Sequence, residues 1–206
     1  LIDFENIVLN SHANQNQVNL TLGWAQNDSS SKGDFEISSY LHNFDSIEFY
    51  LNKGILSSAT GDWIWTDTSN LLLNKNKFSL DKMSIVNAGQ EVYLKGNIGP
   101  LETDVFSIYF NELGFKNISN ILNFNNDNFK INGAVNGSVE LSSLSKNASF
   151  VSELSLNDIK INDYMIGDFN FNSVWEKTAD RFRLYGGLLN ESRVEEILFE
   201  DLFYYP

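Results

Sequence analysis

Leu154-Ser-Leu-Asn-Asp-Ile-Lys-Ile161 places apolar side chains at its first, third, sixth and eighth positions, with the polar pair Asn157-Asp158 between them. The same pattern stands in Ile2-Asp-Phe-Glu-Asn-Ile-Val-Leu9, Phe78-Ser-Leu-Asp-Lys-Met-Ser-Ile85, Ile108-Tyr-Phe-Asn-Glu-Leu-Gly-Phe115 and Ile197-Leu-Phe-Glu-Asp-Leu-Phe-Tyr204. In a β-strand alternate side chains share a face, so the first and third match while the sixth and eighth point to the other side. One extra residue at the polar pair, a β-bulge, returns all four to one face and bends the strand. A two-residue hairpin at the pair is the competing reading. It is the weaker one, because none of the five polar pairs contains the glycine that favours primed turns.

Strand alternation continues away from the repeats. Val18, Leu20, Leu22 and Trp24 alternate with Asn19, Thr21 and Gly23, and Val92, Leu94, Gly96 and Ile98 alternate with Tyr93, Lys95 and Asn97. Phe129, Ile131, Gly133, Val135, Gly137, Val139 and Leu141 form the clearest run, and Gly167, Phe169, Phe171, Ser173 and Trp175 repeat it. Phe182 and Leu184 do the same between Arg181, Arg183 and Tyr185. Only Asn117 to Phe124 has spacing suited to one short helical turn. The expected fold class is therefore all-β and antiparallel, with at most one short helix.

Composition narrows the partners. The net charge of −13 opposes nucleic-acid binding, which needs a basic face against phosphates. It also opposes electrostatic docking on anionic lipid surfaces, but not the burial of acyl chains. Absence of cysteine removes disulfides, zinc–thiolate sites and thiol catalysis together. Two prolines and no proline-rich linker mark no boundary, and Asn27 to Lys32 reads as one polar turn, so residues 1–206 are expected to form a single continuous segment. No run approaches the roughly 18 apolar residues of a membrane span. The chain opens inside one repeat and closes on another, which leads us to expect a piece excised from a much longer protein.

A sheet that is apolar on one face must bury that face, and this chain has almost no helix to do it with. Either the sheet closes as a sandwich, or it curls into a trough filled by lipid. Gly96, Gly133, Gly137 and Gly167 fall on the apolar side, where they either leave room or mark bulges.

Residues Asn87 to Trp175 resemble the TamB/AsmA-like family of bacterial envelope proteins, in the form common to long Bacteroidota sequences. The likeness is carried by Gly89-Gln-Glu-Val-Tyr-Leu-Lys-Gly-Asn-Ile-Gly99, Asp104-Val-Phe-Ser-Ile-Tyr-Phe-Asn-Glu-Leu113 and Ile131-Asn-Gly-Ala-Val-Asn-Gly-Ser-Val-Glu-Leu141. Its most specific part is Leu154-Ser-Leu-Asn-Asp-Ile-Lys-Ile-Asn-Asp-Tyr-Met-Ile-Gly-Asp-Phe169, completed by Trp175. Residues 1–86 fit more loosely, through Leu22-Gly-Trp24 and Gly61-Asp-Trp-Ile-Trp65.

The resemblance implies a β-taco, a long, curved, U-shaped antiparallel sheet with an apolar interior, in a periplasmic protein anchored in the inner membrane. Similar proteins are bridge-like lipid-transfer proteins implicated in moving phospholipid between inner and outer membranes in support of outer-membrane biogenesis. TamB-like members pair with an Omp85-class outer-membrane barrel, so that partner is expected for the full-length protein; neither the anchor helix nor the barrel-binding end is visible in this sequence. Acyl chains would lie against Val18, Leu20, Leu22, Trp24, Val92, Leu94, Ile98, Val135, Val139, Leu141, Leu154, Leu156, Phe169, Phe171 and Trp175.

No enzyme is expected, and neither a cofactor nor a metal. His12 and His42 sit in polar turn-like contexts, and no nucleophile elbow, zinc helix or phosphate loop is present. Glu195-Glu196 and Glu200-Asp201 are sequence neighbours whose side chains diverge in a strand, a poor geometry for paired acid and base. Asn123-Phe-Asn-Asn-Asp-Asn128 offers oxygen ligands without the spaced acids and glycine of a calcium loop. The alternative function is a β-sandwich binding module, an adhesin or carbohydrate-binding domain of the envelope. On that reading Trp63 and Trp65, which share a face, would stack on sugar rings in solvent. A structural spacer is the third class.

Overall fold

The computed structural model describes residues 5–25, 31–43, 45–58, 60–117, 130–143, 148–162, 164–189 and 195–205. The runs 26–30 and 123–128, where part of the polar turn and the oxygen-rich run fall, lie outside them. Fourteen strands are present: β1 (Glu5–Asn14), β2 (Gln17–Ala25), β3 (Lys32–Asn43), β4 (Ser46–Ser58), β5 (Gly61–Trp65), β6 (Ser69–Asn74), β7 (Lys77–Asn87), β8 (Gln90–Ile98), β9 (Val105–Gly114), β10 (Ile131–Ser142), β11 (Ser149–Ile161), β12 (Tyr164–Glu176), β13 (Arg181–Leu189) and β14 (Glu195–Tyr204). They belong to one antiparallel sheet. Helix is confined, among the described residues, to one turn at 115–117, and residues 118–124 of the expected turn lie outside the description. No helix among the described residues is long and apolar enough to cross a membrane.

The chain divides into two compact units, Leu1–Gly89 with Tyr93–Pro100, and Gln90–Val92 with Leu101–Pro206. The division falls inside β8, a strand without linker composition, which is why the sequence reads as one continuous segment.

In the first unit β1 to β4 pair in sequence order, and β4 then pairs with both β5 and β6, which in turn pair with β7. β5 and β6 thus act as one strand interrupted at Thr66–Thr68. The Thr66 N–H donates to the Ser84 carbonyl across the gap at 3.2 Å. In the second unit β9 to β14 follow one another along the ladder. Antiparallel pairing of successive strands makes a meander, the simplest path for such a chain.

The ladder register breaks at the polar pairs. A step of three positions on β9, from Phe110 to Leu113, matches a step of two on β10, and the same mismatch recurs at Leu156–Ile159 in β11, Phe199–Leu202 in β14 and Glu5–Val8 in β1. The second polar residue of each pair, Asn6, Glu112, Asp158 and Asp201, has φ between 51° and 57°. Asparagine and aspartate tolerate that left-handed conformation better than most residues, so the pair's chemistry suits the bulge. Neighbouring strands catch the freed N–H groups: Glu112 donates to Asn136 Oδ1 at 2.7 Å, and Asp158 to Asp168 Oδ1 at 2.8 Å. On β7 neither Asp81 nor Lys82 has positive φ, yet Leu80 and Met83, three residues apart, line one depression.

The glycines on the apolar side share an unusual backbone conformation, and two of them leave no space for a side chain. Gly96, Gly133, Gly137 and Gly167 all have positive φ, from 115° to 131°. A Cβ on Gly133 would stand 2.7 Å from the Asn157 carbonyl oxygen, inside a bulge, and one on Gly137 would overlap the Glu153 carbonyl. Both positions require glycine for backbone reasons.

Few apolar side chains are fully covered. Among the described residues the buried ones are Trp63 and Leu80 in the first unit and Phe106, Leu113 and Val135 in the second.

Candidate functional site

The expected lining residues of the second unit share one face. Val139 and Leu141 oppose Ile108 and Phe106 on β9, and Val135 opposes Leu113. Leu154 and Leu156 oppose Gly137 and Val135 on one side and Phe171 and Phe169 on the other. Trp175 opposes Phe182. Phe169 stacks on Phe199 at 5.5 Å between centroids, and Phe182 packs edge-on against both Phe150 and Trp175. Val135 is 6% exposed, whereas Val139, Leu141, Leu154, Leu156, Phe169, Phe171 and Trp175 remain half-buried. Under the rings Ser152 and Ser173 share a buried hydroxyl–hydroxyl bond of 2.8 Å.

In the first unit Val18, Leu20, Leu22 and Trp24 oppose Ser39, Ile37, Phe35 and Gly33 of β3. All four are half-buried, as are Leu94 and Ile98; Val92, which belongs to the second unit, is half-buried too. Trp24 lies over Gly33 and Trp65 over Gly54, each indole occupying the place of a missing Cβ. Phe35 stands between them, stacked on Trp24 at 5.3 Å and edge-on to Trp65 at 5.1 Å. These rings cover glycines that would otherwise expose backbone on the apolar face. Trp63 is 7% exposed and Trp65 half-buried, so the two do not form a platform of paired solvent-facing indoles.

The same face holds a depression of about 400 Å³ lined by Phe35, Ile37, Phe49, Leu51, Ser69, Leu71, Leu80 and Met83. The size is that of small-molecule sites. None of these residues stands among the expected lining residues. Phe35 and Ile37 alternate along β3 and were legible; Leu71 hides in an apolar run, Leu71-Leu72-Leu73, where alternation fails.

The opposite face is polar. Glu48 accepts hydrogen bonds from His42 Nε2 at 2.9 Å and Asn70 Nδ2 at 2.8 Å. The His42 bond, then those of Tyr50 and Asn70, hold its carboxyl below the ordinary carboxylate value. Arg183 Nε reaches Asp201 Oδ1 at 2.6 Å beside the β14 bulge. His12 is exposed. No group of three or more histidine, aspartate or glutamate side chains converges as a metal site among the described residues. The side chains of Glu195 and Glu196 lie outside the description, and Glu200 is exposed on its strand.

No protein-family model, curated protein or solved structure matches this chain.

Proposed function

We propose that the chain is a β-groove segment of a bridge-like protein of the bacterial periplasm, and that its apolar face carries phospholipid acyl chains between inner and outer membranes. The observation behind this reading is an extended apolar face left half-exposed in each unit. Five fully buried apolar side chains, among the described residues, are few for a self-filled core. The sheet's curl into a U-shaped taco, the inner-membrane anchor of the full-length protein and its Omp85-class barrel partner belong to the same proposal, through the family resemblance. The burial of Trp63, which leaves no pair of exposed indoles, favours lipid over a sugar-binding sandwich.

Each methylene withdrawn from water contributes about 0.8 kcal/mol, so a long acyl chain is held firmly. Sliding along a continuous apolar strip changes little buried area, which leaves movement diffusive and its direction imposed from outside the segment. Native mass spectrometry with lipid extraction tests the reading. Phospholipid should accompany the purified wild type and be lost from folded Leu154→Glu and Leu20→Glu variants. A lipid-free wild type whose two variants unfold would identify both side chains as closed core and sink the proposal.

A further inference from the structure

The interrupted strand of the first unit leaves polar groups unpartnered in apolar surroundings. β5 ends at Trp65 and β6 begins at Ser69, and their pairings with Ile85 and Leu51 turn both side chains to the apolar face. Ser69 is 2% exposed and its hydroxyl has no hydrogen-bond partner; the Trp65 indole Nε1 is likewise buried without one. Ser57 Oγ is buried without a partner as well, whereas three other buried serines are satisfied. Ser39 donates to the Val18 carbonyl at 3.2 Å, and Ser152 pairs with Ser173 at 2.8 Å. Native proteins keep few buried polar groups unpaired, and an exception points to a missing partner.

Among the described residues Ser69 is also the one polar residue in the wall of the 400 Å³ depression. Its hydroxyl is covered by its neighbours and the depression exposes no polar surface, so a chain lying there reaches this donor when the side chain turns to another of its staggered rotamers. Plain hydrocarbon would fill the space and leave the hydroxyl unpaired. A charged head group would be stranded, since no cation lines the wall. The chemistry that fits is an apolar chain bearing one neutral oxygen.

We propose that this depression is a holding site for a single hydroxylated acyl chain, with the chain's oxygen bonded to Ser69. The inference rests on the lipid reading above and narrows it from any acyl chain to a particular class.

The test uses the full chain and a fluorescent fatty acid displaced by octadecanoic acid or by its analogues hydroxylated near the head, at mid-chain or near the tail. One analogue should compete about tenfold better than the parent acid, the effect of one neutral hydrogen bond. Ser69→Ala should remove that advantage and leave octadecanoic acid unaffected, while Leu51→Trp, which fills the depression, should weaken both. Equal competition by every analogue, or an advantage that survives in Ser69→Ala, would overturn the assignment and leave the lipid reading standing. Failure of any fatty acid to bind would overturn both.

Discussion

The two units cover an apolar sheet face by different means. The first lays indoles over glycines, Trp24 on Gly33 and Trp65 on Gly54, and interrupts a strand at Thr66–Thr68 beside an apolar depression. The second runs long strands whose register breaks at Glu112, Asp158 and Asp201, and spreads phenylalanines along the face. Each solution leaves most of its apolar side chains half-exposed. A large ring over a glycine covers backbone locally, whereas a bulge keeps successive side chains in phase without covering them.

Substitutions in the second unit should show the largest effects. Val135→Glu buries a charge without a partner and should destabilise that unit by about 3 kcal/mol or more. Leu154→Glu, on the same face but half-exposed, should lose only about 1 kcal/mol. Chemical denaturation followed at Trp175 fluorescence separates them, and equal losses would erase the distinction between core and lining. Gly137→Val should approach the first in size, about 3 kcal/mol, because φ of 119° and the Glu153 carbonyl both exclude a side chain.

Leu80→Ala probes the first unit, where the side chain is 4% exposed. A loss of about 2 to 4 kcal/mol is expected, read from the fluorescence of Trp24, Trp63 and Trp65. A smaller loss would mean that the depression collapses around the deletion. Glu112→Gly runs the other way. Glutamate suits φ of 51° poorly, so glycine should stabilise by about 0.5 to 1 kcal/mol in thermal or denaturant melts.

The smallest effect concerns pH. The folded Glu48 carboxyl lies below its ordinary value of 4.5, so its contribution is present above that value and is lost as pH falls through the folded one. Glu48→Gln should therefore match wild type in melting temperature at the acid end and fall slightly below it near neutrality. A difference independent of pH would assign the side chain a packing role only.

Much of this was legible in the sequence because side-chain period and bulge chemistry are local. Asn157-Asp158 and Asn111-Glu112 announce a register break through residues that accept positive φ or sit next to one that does. Alternation alone placed Val135, Leu154, Phe169 and Trp175 on one face. Neighbours across the ladder were not legible, and they decide burial: Val135 is closed by Leu113 and Leu156, residues 22 and 21 positions away. The break between β5 and β6 was hidden too, because Ser-Asn-Leu-Leu-Leu carries no alternation to lose. Whether the glycines left room or marked bulges stayed open in the sequence, since φ is invisible to a pattern of apolar and polar letters; at Gly133 and Gly137 the backbone leaves no room.

The bulges make the strands sensitive to length in a way that substitution does not reveal. Removing Asp158 alone would shift the remainder of β11 by one position. Ile159 and Ile161 would then turn to the polar face, and Lys160 would take their place among the leucines. One lost codon would thus reverse the chemistry of the strand's end, while most single exchanges at the same site would leave it in phase.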